Sequence, residues 1–582
     1  MKNLEEIRHS LSHIMAMAVL KKFPDAKLGI GPTIDNGFYY DFLLSEKLSD
    51  TDLPEIEKTM QELIKQNIEF KKTIVTREEA LQKVKTLKQN FKEELINDLP
   101  KEEDIIFYQS GNFEDLCAGP HIKNSKEIPL DGFKLTHLAG AYWRGDEKNP
   151  MMTRIYGLAF TNRKDLAVHL NMLEQAKLRD HRKLGKELDL FVFSEIVGRG
   201  LPLFTPKGTA IWQEMERLVI EEENKRGYSR THTPDLAKVD LYKLSGHWDH
   251  YQDSMYPAID VDGEEYVLRP MTCPHQFMIY KAKPRSYREL PLRYAEIAKL
   301  YRKEQSGELA GLMRVMSFSL ADAHIICRPD QLEIEFEAVV ELVQSIMKTL
   351  GINNYSYRFS KWDPQNKEKY IDNPTAWHDS QSSMKKILDK MKLKYTEGDG
   401  EAAFYGPKLD VQMRNVNGKE DTAFTVQIDF ALPEKFDMTY IDVDGQEKRP
   451  MVIHRSSIGC MERTMAFLIE QYAGNFPVWL SPVQIKILTV ASTHTDFAKK
   501  LQTEFLAEGI RVELDDLDET VGNKIRKASH EKVPYTLVIG DKEMGSDNLA
   551  VRVRGQKDLL NIDKQKFIDK IKTQIKNRDL SL

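Results

Sequence analysis

The sequence has no long apolar run, few cysteines and no excess of basic charge, and each shortage excludes something. Nowhere in its 582 residues do the roughly eighteen uninterrupted apolar residues of a membrane span occur. The N-terminus, Met1-Lys2-Asn3-Leu4-Glu5-Glu6, runs straight into a charged amphipathic helix pattern and lacks the apolar core of a signal peptide. The four cysteines, Cys117, Cys273, Cys327 and Cys460, are widely scattered, and no pair has the spacing of a disulfide framework. A reducing, cytoplasmic compartment is the simple reading, in which a special cysteine is a ligand or a reactive thiol. Lys and Arg number 84 against 90 Asp and Glu, a formal net charge of −6. That balance argues against a strongly basic nucleic-acid binder and leaves room for a local basic face.

What is present is a globular composition, 41% apolar and 30% charged, with length for about three or four domains. There is no internal repeat and no low-complexity segment. Residues 1–24 read as a helix, Lys27 to Phe42 as strands around the turn Asp35-Asn36-Gly37, and Leu53 to Leu95 as helical. Strand-like and loop segments follow through Trp143, and Lys164 to Glu187 reads as one charged linking helix. From Leu190 to Trp479 long helices and strands mix without βαβ alternation, which predicts an antiparallel α+β core. From Val483 the order is βαβαβ, which predicts a small parallel sheet. The expected division is 1–178, a linker at 179–190, then 191–482 and 483–582.

Two sets of residues carry chemistry. His9 and His13 stand four apart on a predicted helix, so their rings share a face. Cys117 and His121 repeat that spacing in a Gly/Pro turn; the four could bind zinc, surround a hydrolytic water, or be unrelated. In the middle of the chain, Tyr301-Arg302-Lys303-Glu304, Gly311-Leu312-Met313-Arg314 and Gly459-Cys460-Met461-Glu462-Arg463 are short motifs, weak singly and strong in this order.

The segments His9-Ser10-Leu11-Ser12-His13, Ile34-Asp35-Asn36-Gly37-Phe38-Tyr39-Tyr40-Asp41 and Asp115-Leu116-Cys117-Ala118-Gly119-Pro120-His121 resemble the editing domain of bacterial threonyl-tRNA synthetases. In that family they form a pocket that hydrolyses mischarged seryl-tRNA, and His9, His13, Lys92, Asp115, Cys117 and His121 are the implied members here. The family carries a small ubiquitin-like domain before this point, whereas this sequence starts almost at the editing domain. The central motifs resemble the second and third motifs of a class II synthetase, and Thr231-His232-Thr233-Pro234 its first, which builds a homodimer interface. The implied fold is α+β multidomain: an α+β editing domain, an antiparallel-sheet class II catalytic core and an α/β C-terminal anticodon-binding domain.

The resemblance implies a reaction in which the carboxylate of L-threonine attacks the α-phosphate of ATP and threonine then passes to tRNA(Thr). Charge building on phosphate needs fixed cations. Arg302 is the expected α-phosphate ligand and Arg314 the γ-phosphate ligand, with Mg2+ sharing the charge. Arg463 and Phe318 are expected to sandwich adenine, and Glu304 to accept from its amino group. Met271-Thr272-Cys273, Asp322-Ala323-His324 and Ile453-His454 match the family's zinc segments, implying one Zn2+ per subunit on Cys273, His324 and His454. Met271, Asp322 and Tyr405 are implied beside the amino acid, with Lys408 near the reactive end, Gln427 lining the pocket and His247 assisting transfer.

In that family, zinc with an open position reads the hydroxyl of threonine, and the resemblance implies the same here. A site built for a hydroxyl rejects valine by on the order of 10⁴ or more, whereas losing one methyl discriminates serine by only about 1–3 kcal/mol. Serine therefore leaks through, and an editing domain becomes necessary. Leu320 and Thr272 depart from the family's usual glutamine and asparagine, so altered adenylation or transfer kinetics are expected. Glu543 and Arg552 are the expected anticodon contacts. A non-catalytic RNA-binding paralogue and a prolyl or seryl synthetase are the competing readings; the intact Arg302, Arg463 and zinc triad disfavour the first, the zinc and editing motifs the second.

Overall fold

The structure is a computed structural model that describes residues 2–100, 103–416 and 418–582 and parts into two compact units, 1–174 and 175–582. In the first unit the helix Lys2–Lys22 buries Ile7, Leu11, Ile14, Met15 and Val19, a stripe at helical spacing. It lies on an antiparallel sheet built on Gly37–Leu43, Met151–Ala159 and Phe133–Tyr142. Phe70–Val75, Ile105–Ser110 and Phe113–Leu116 make a second antiparallel sheet.

Phe70–Val75 corrects the expectation of helix from Leu53 to Leu95. Its lysines mimic a charged helix face, yet Lys71 to Ile74 are exposed on a sheet edge and Thr73-Ile74-Val75 is β-branched. The flanking helices are Leu53–Ile64 and Arg77–Thr86; the second begins in a capping box, with Thr76 Oγ1 accepting from Glu79 N–H at 3.3 Å and Glu79 Oε2 accepting from Thr76 N–H at 2.9 Å. The expected single helix from Lys164 to Glu187 is also two, Arg163–Arg179 and His181–Glu187. Asp180 leaves helical geometry at ψ 121° and its carboxylate caps the second helix by accepting from Arg182 N–H.

The second unit is organised by an eight-stranded sheet. Its order is Ser229–Arg230, Leu292–Tyr301, Ser317–Cys327, Met451–Cys460, Glu420–Asp429, Lys408–Arg414, Tyr355–Ser360 and Tyr395–Gly398. All neighbours are antiparallel except the outermost pair at each end, as the irregular helix and strand order predicts. Side chains alternate across it: Ala321, Ala323, Ile325, Val426, Ile428 and Ile453 face a large core with the helices Pro206–Lys225, Leu332–Thr349 and Met461–Tyr472. The intervening residues face the other way, and they are the polar ones.

The C-terminal βαβαβ run forms the expected small parallel sheet, and two further strands extend it. Val512–Asp515, Ile485–Thr489 and Tyr535–Ile539 are parallel neighbours, but Asn548–Val553 and Leu559–Asp563 join antiparallel. The turn at Arg554 to Asp558 is too short for the crossover that a parallel connection needs.

Candidate functional site

Sheet register assembles the main site. His324 stands directly opposite His454, His454 opposite Gln427, and Gln427 opposite Lys408, a row across four strands. Asp322, two residues before His324, shares that face. Cys273 enters from above, in the first turn of the helix Cys273–Lys281. The ligand atoms of Cys273, His324 and His454 lie within 4.8 Å of one another, and all three side chains are buried.

These residues fit a metal ion. His324 Nδ1–H donates to Gln276 Oε1 at 2.6 Å, and His454 Nε2–H donates to Asp429 Oδ2 at 2.7 Å. Each ring thus has one nitrogen fixed, and its other lone pair is free for the centre. Burial and the neighbouring His454 hold His324 well below the usual imidazole range, so it is neutral, as a ligand must be. Burial also pushes the Cys273 thiol well up, with Asp322 and Asp429 adding to it, and lifts the Asp322 carboxyl to about 6. A buried thiol beside two carboxylates is a setting that a cation relieves.

The triad lines a cavity of about 480 Å³ that is also lined by Met271, Asp322, Tyr405 and Gln427. Tyr405 donates to Gln427 Oε1, and its ring lies 4.9 Å from that of His454. Arg302, Glu304, Arg314, Phe318 and Arg463 line the same cavity. The Arg302 guanidinium lies over the Phe318 ring at 5.2 Å. Arg463 donates to the Met313 carbonyl (3.0 Å) and the Thr422 carbonyl (2.6 Å), which fixes its plane. Arg314 is paired with Glu304 (2.8 Å) and Glu308 (3.1 Å), so two residues expected at opposite ends of ATP hold each other here.

Gly459 bends the strand that carries the third motif. Its φ is +73°, and an added Cβ would lie 2.2 Å from the Ala423 carbonyl oxygen. The register between Ser317–Cys327 and Met451–Cys460 slips there, from Asp322 opposite Ser456 to Leu320 opposite Cys460. Leu320 itself lines the cavity and packs against a small cluster that includes Phe318.

Two expected members stand apart from the cavity lining. Lys408 is tied to Asp410 at 2.8 Å. His247 is wholly buried, with Nδ1 2.7 Å from Ser245 Oγ and its ring edge-on to Phe404 at 5.3 Å. Burial, with His454 and Arg302 nearby, lowers its pKa to about 3. Gln276 and Asp429 were not expected; each orients a histidine from 48 and 25 residues away, and no local pattern marks them.

The first unit holds a separate cluster. The ligand atoms of His9, His13, Cys117 and His121 also lie within 4.8 Å of one another. Cys117 Sγ is 3.1 Å from His9 Nε2 and 3.3 Å from His121 Nε2, while His9 Nδ1–H donates to the Pro120 carbonyl at 3.2 Å. Burial and neighbouring imidazoles keep His13 and His121 well below the usual range, and burial raises Cys117 to about 11. At neutral pH the three rings and the thiol are uncharged. Lys92 and Asp115 form a buried ion pair at 2.7 Å, and the Tyr40 hydroxyl bridges them, donating to Asp115 and accepting from Lys92. His9, His13, Tyr40, Lys92, Asp115 and Cys117 line a cavity of about 390 Å³. Sequence reasoning missed Tyr40 as a member, although it sits in a quoted motif.

On the C-terminal sheet Glu543 lies in a short helix, where it accepts from Gly540 N–H at 3.0 Å, and Arg552 is exposed on the strand Asn548–Val553, opposite Thr536.

Comparison with known proteins now bears on these clusters. Residues 105–156 match the threonyl and alanyl tRNA synthetase second additional domain, 256–472 the class II tRNA synthetase core domain (G, H, P, S and T), and 480–574 an anticodon binding domain. The chain is 53% identical to a threonine–tRNA ligase of Clostridium botulinum, covering 99% of this chain and 89% of that one. It is 50% identical to that of Halalkalibacterium halodurans, over 98% and 89%. Among solved structures, a threonyl-tRNA synthetase chain of Cryptosporidium parvum aligns at a TM-score of 0.65 and 31% identity, covering 68% of this chain and 98% of that one. With a class II core, an editing-type domain and an anticodon-binding domain in one chain, the protein belongs to the threonine–tRNA ligase family.

Proposed function

We propose that this chain activates L-threonine with ATP on the eight-stranded sheet, passes it to the 3′ end of tRNA(Thr), and hydrolyses seryl-tRNA(Thr) in the first unit. The observation that carries this reading is one cavity of about 480 Å³ lined by both the Cys273, His324 and His454 triad and the arginines Arg302, Arg314 and Arg463. An amino-acid reader and a triphosphate reader open into the same space, as adenylate formation requires.

Cys273, His324 and His454 would hold Zn2+, which when bound supplies a Lewis-acidic position for the amino group and hydroxyl of threonine. Asp322 accepts from the hydroxyl, and Tyr405 and Gln427, already hydrogen-bonded to each other, close the pocket around the methyl group. Met271 adds an apolar wall. Arg302 meets the α-phosphate, and Arg463 and Phe318 flank adenine. Arg314 exchanges Glu304 and Glu308 for the γ-phosphate, freeing Glu304 for the adenine amino group. Mg2+ accompanies ATP. Lys408 serves the reactive end only after leaving Asp410, and His247, neutral and buried against Phe404, assists transfer by positioning rather than as a strong base.

In the first unit, His9, His13 and His121 with Cys117 present neutral acceptors to a water, while Lys92, fixed by Asp115, faces the ester. Glu543 and Arg552 contact anticodon bases. The functional division is 1–178 for editing, 179–190 as linker, 191–482 for catalysis and 483–582 for the anticodon. Exposed Phe193, Ile196 and Leu203, beside the helix Pro206–Lys225, favour a homodimer, and four free cysteines suit the cytoplasm.

Threonine-dependent ATP–pyrophosphate exchange, together with metal analysis of the purified protein, tests the reading. Exchange with threonine and about one zinc per chain are expected; exchange with another amino acid and none with threonine would overturn it.

A further inference from the structure

His181 is absent from the lining of the cavity of about 480 Å³ and from every residue set given a role above, yet it is buried against the Gly311–Arg314 loop. It opens the short helix His181–Glu187 and is only 5% exposed. Its Nε2 accepts the backbone N–H of Leu312 at 3.1 Å, and its Nδ1–H donates to Glu470 Oε1 at 2.7 Å. Because a backbone amide can only donate, Nε2 must be bare and the proton must sit on Nδ1, facing the carboxylate. Both ring nitrogens are thereby used, one on each of two nucleotide-binding elements.

Those elements are the ones that shape the adenine and phosphate site. Leu312 sits in the Gly311-Leu312-Met313-Arg314 segment; the next carbonyl, Met313, fixes Arg463, and the next side chain, Arg314, is the expected γ-phosphate ligand. Glu470 lies on the helix Met461–Tyr472, which also carries Arg463. The loop is fitted closely to the imidazole: Gly311 has φ +52°, and a Cβ there would lie 2.2 Å from His181 Nε2. Leu312 is fully buried, so its N–H has no water to turn to if the ring is removed.

We propose that His181 is a positioning residue for ATP: it clamps the Gly311–Arg314 loop to the Met461–Tyr472 helix and so sets the distance between the Met313 carbonyl and Arg463. The helix that bears it follows Arg163–Arg179 and lies within the 179–190 linker, so the clamp ties the nucleotide loop to the segment that leads into the catalytic region. The inference rests on the adenylation reading above, and concerns ATP alone. The threonine pocket is built on Cys273, His324, His454 and Gln427, none of which His181 touches.

The test is threonine-dependent ATP–pyrophosphate exchange on the full zinc-loaded protein, with KM measured separately for ATP and threonine. His181→Ala should raise KM for ATP about threefold to tenfold, the worth of one buried hydrogen bond, and leave KM for threonine within about twofold. His181→Gln, whose carbonyl reaches as far as Nε2, should recover most of that loss. A parent protein without threonine exchange would sink the adenylation reading itself. An unchanged KM for ATP in folded His181→Ala would overturn the clamp alone, as would an equal rise in both KM values with no rescue by glutamine. If the alanine variant fails to fold, the glutamine variant alone decides: a KM for ATP raised tenfold or more, despite a normal melting curve, refutes the acceptor role.

Discussion

Asp429→Asn should weaken the zinc binding proposed for Cys273, His324 and His454 while changing almost no volume. The Asp429 carboxylate is fully buried and serves two sides: one oxygen accepts from His454 Nε2–H at 2.7 Å, and the other from the backbone N–H groups of Ala431 (2.8 Å) and Leu432 (2.9 Å). An amide has one acceptor and one donor end. If its oxygen stays on the backbone, the NH2 faces His454, whose Nε2 must then accept, and the ring proton moves to Nδ1, the nitrogen left for the metal. If the amide turns over, its NH2 meets two buried donors, each losing an acceptor at about 1–3 kcal/mol. Either way the ligand is misassigned or the turn is strained. Loss of such an outer partner weakens metal affinity about 10- to 100-fold, or about 1.4–2.8 kcal/mol. Competition for zinc against a chromogenic chelator, on protein whose melting curve is recorded in parallel, reads this directly. Zinc affinity within twofold of the parent would refute the role given to Asp429 and, with it, the choice of Nδ1 as the ligand atom of His454.

Three further outcomes are expected. Cys117→Ala or His9→Ala should abolish seryl-tRNA deacylation and leave threonine-dependent exchange unchanged, because the two clusters belong to separate units; retained deacylation would remove both residues from the chemistry. Leu320→Gln puts a donor into the cavity beside Phe318, where a hydrogen bond to a charged group is worth about 1.5–3 kcal/mol. Adenylation or transfer should change by about tenfold or more in single-turnover assays, and two unchanged rates would show that this position is silent. His247, with its folded pKa near 3 against about 6.5 unfolded, binds its proton more weakly when folded. Stability should therefore fall as pH drops from about 6.5 towards 3, by about 2 kcal/mol at pH 5 from this group. Denaturant melts of His247→Asn should show a shallower acid slope, and an identical slope would contradict the assignment.

The legible parts of the fold were those with a local period. The helix Pro206–Lys225, the strand Tyr535–Ile539 and the βαβαβ order announce themselves in apolar spacing. Phe70–Val75 did not, because an edge strand with one buried residue carries little period-two signal and its lysines resemble a helix surface. The break at Asp180 was hidden for a different reason: its cap acts through ψ and one hydrogen bond, inside a run whose composition is helical throughout. In the site, the short motifs were legible only together and in their order, whereas Gln276, Asp429 and His181 act through partners 48, 25 and 131 residues away.

The sequence by itself determined which residue types exist to do the chemistry, and on which side of each strand they stand. Alternation already put Asp322 and His324 on one face and Ala321, Ala323 and Ile325 on the other. Only the tertiary structure decided that Cys273, His324 and His454 meet, because the meeting depends on register between strands that are not sequence neighbours and on the angle of a helix above them. A slip of one residue in that pairing would turn His324 or His454 into the core. The same structure decided the state of the ligands, since burial and the fixed partners Gln276 and Asp429, not composition, set which nitrogen carries the proton.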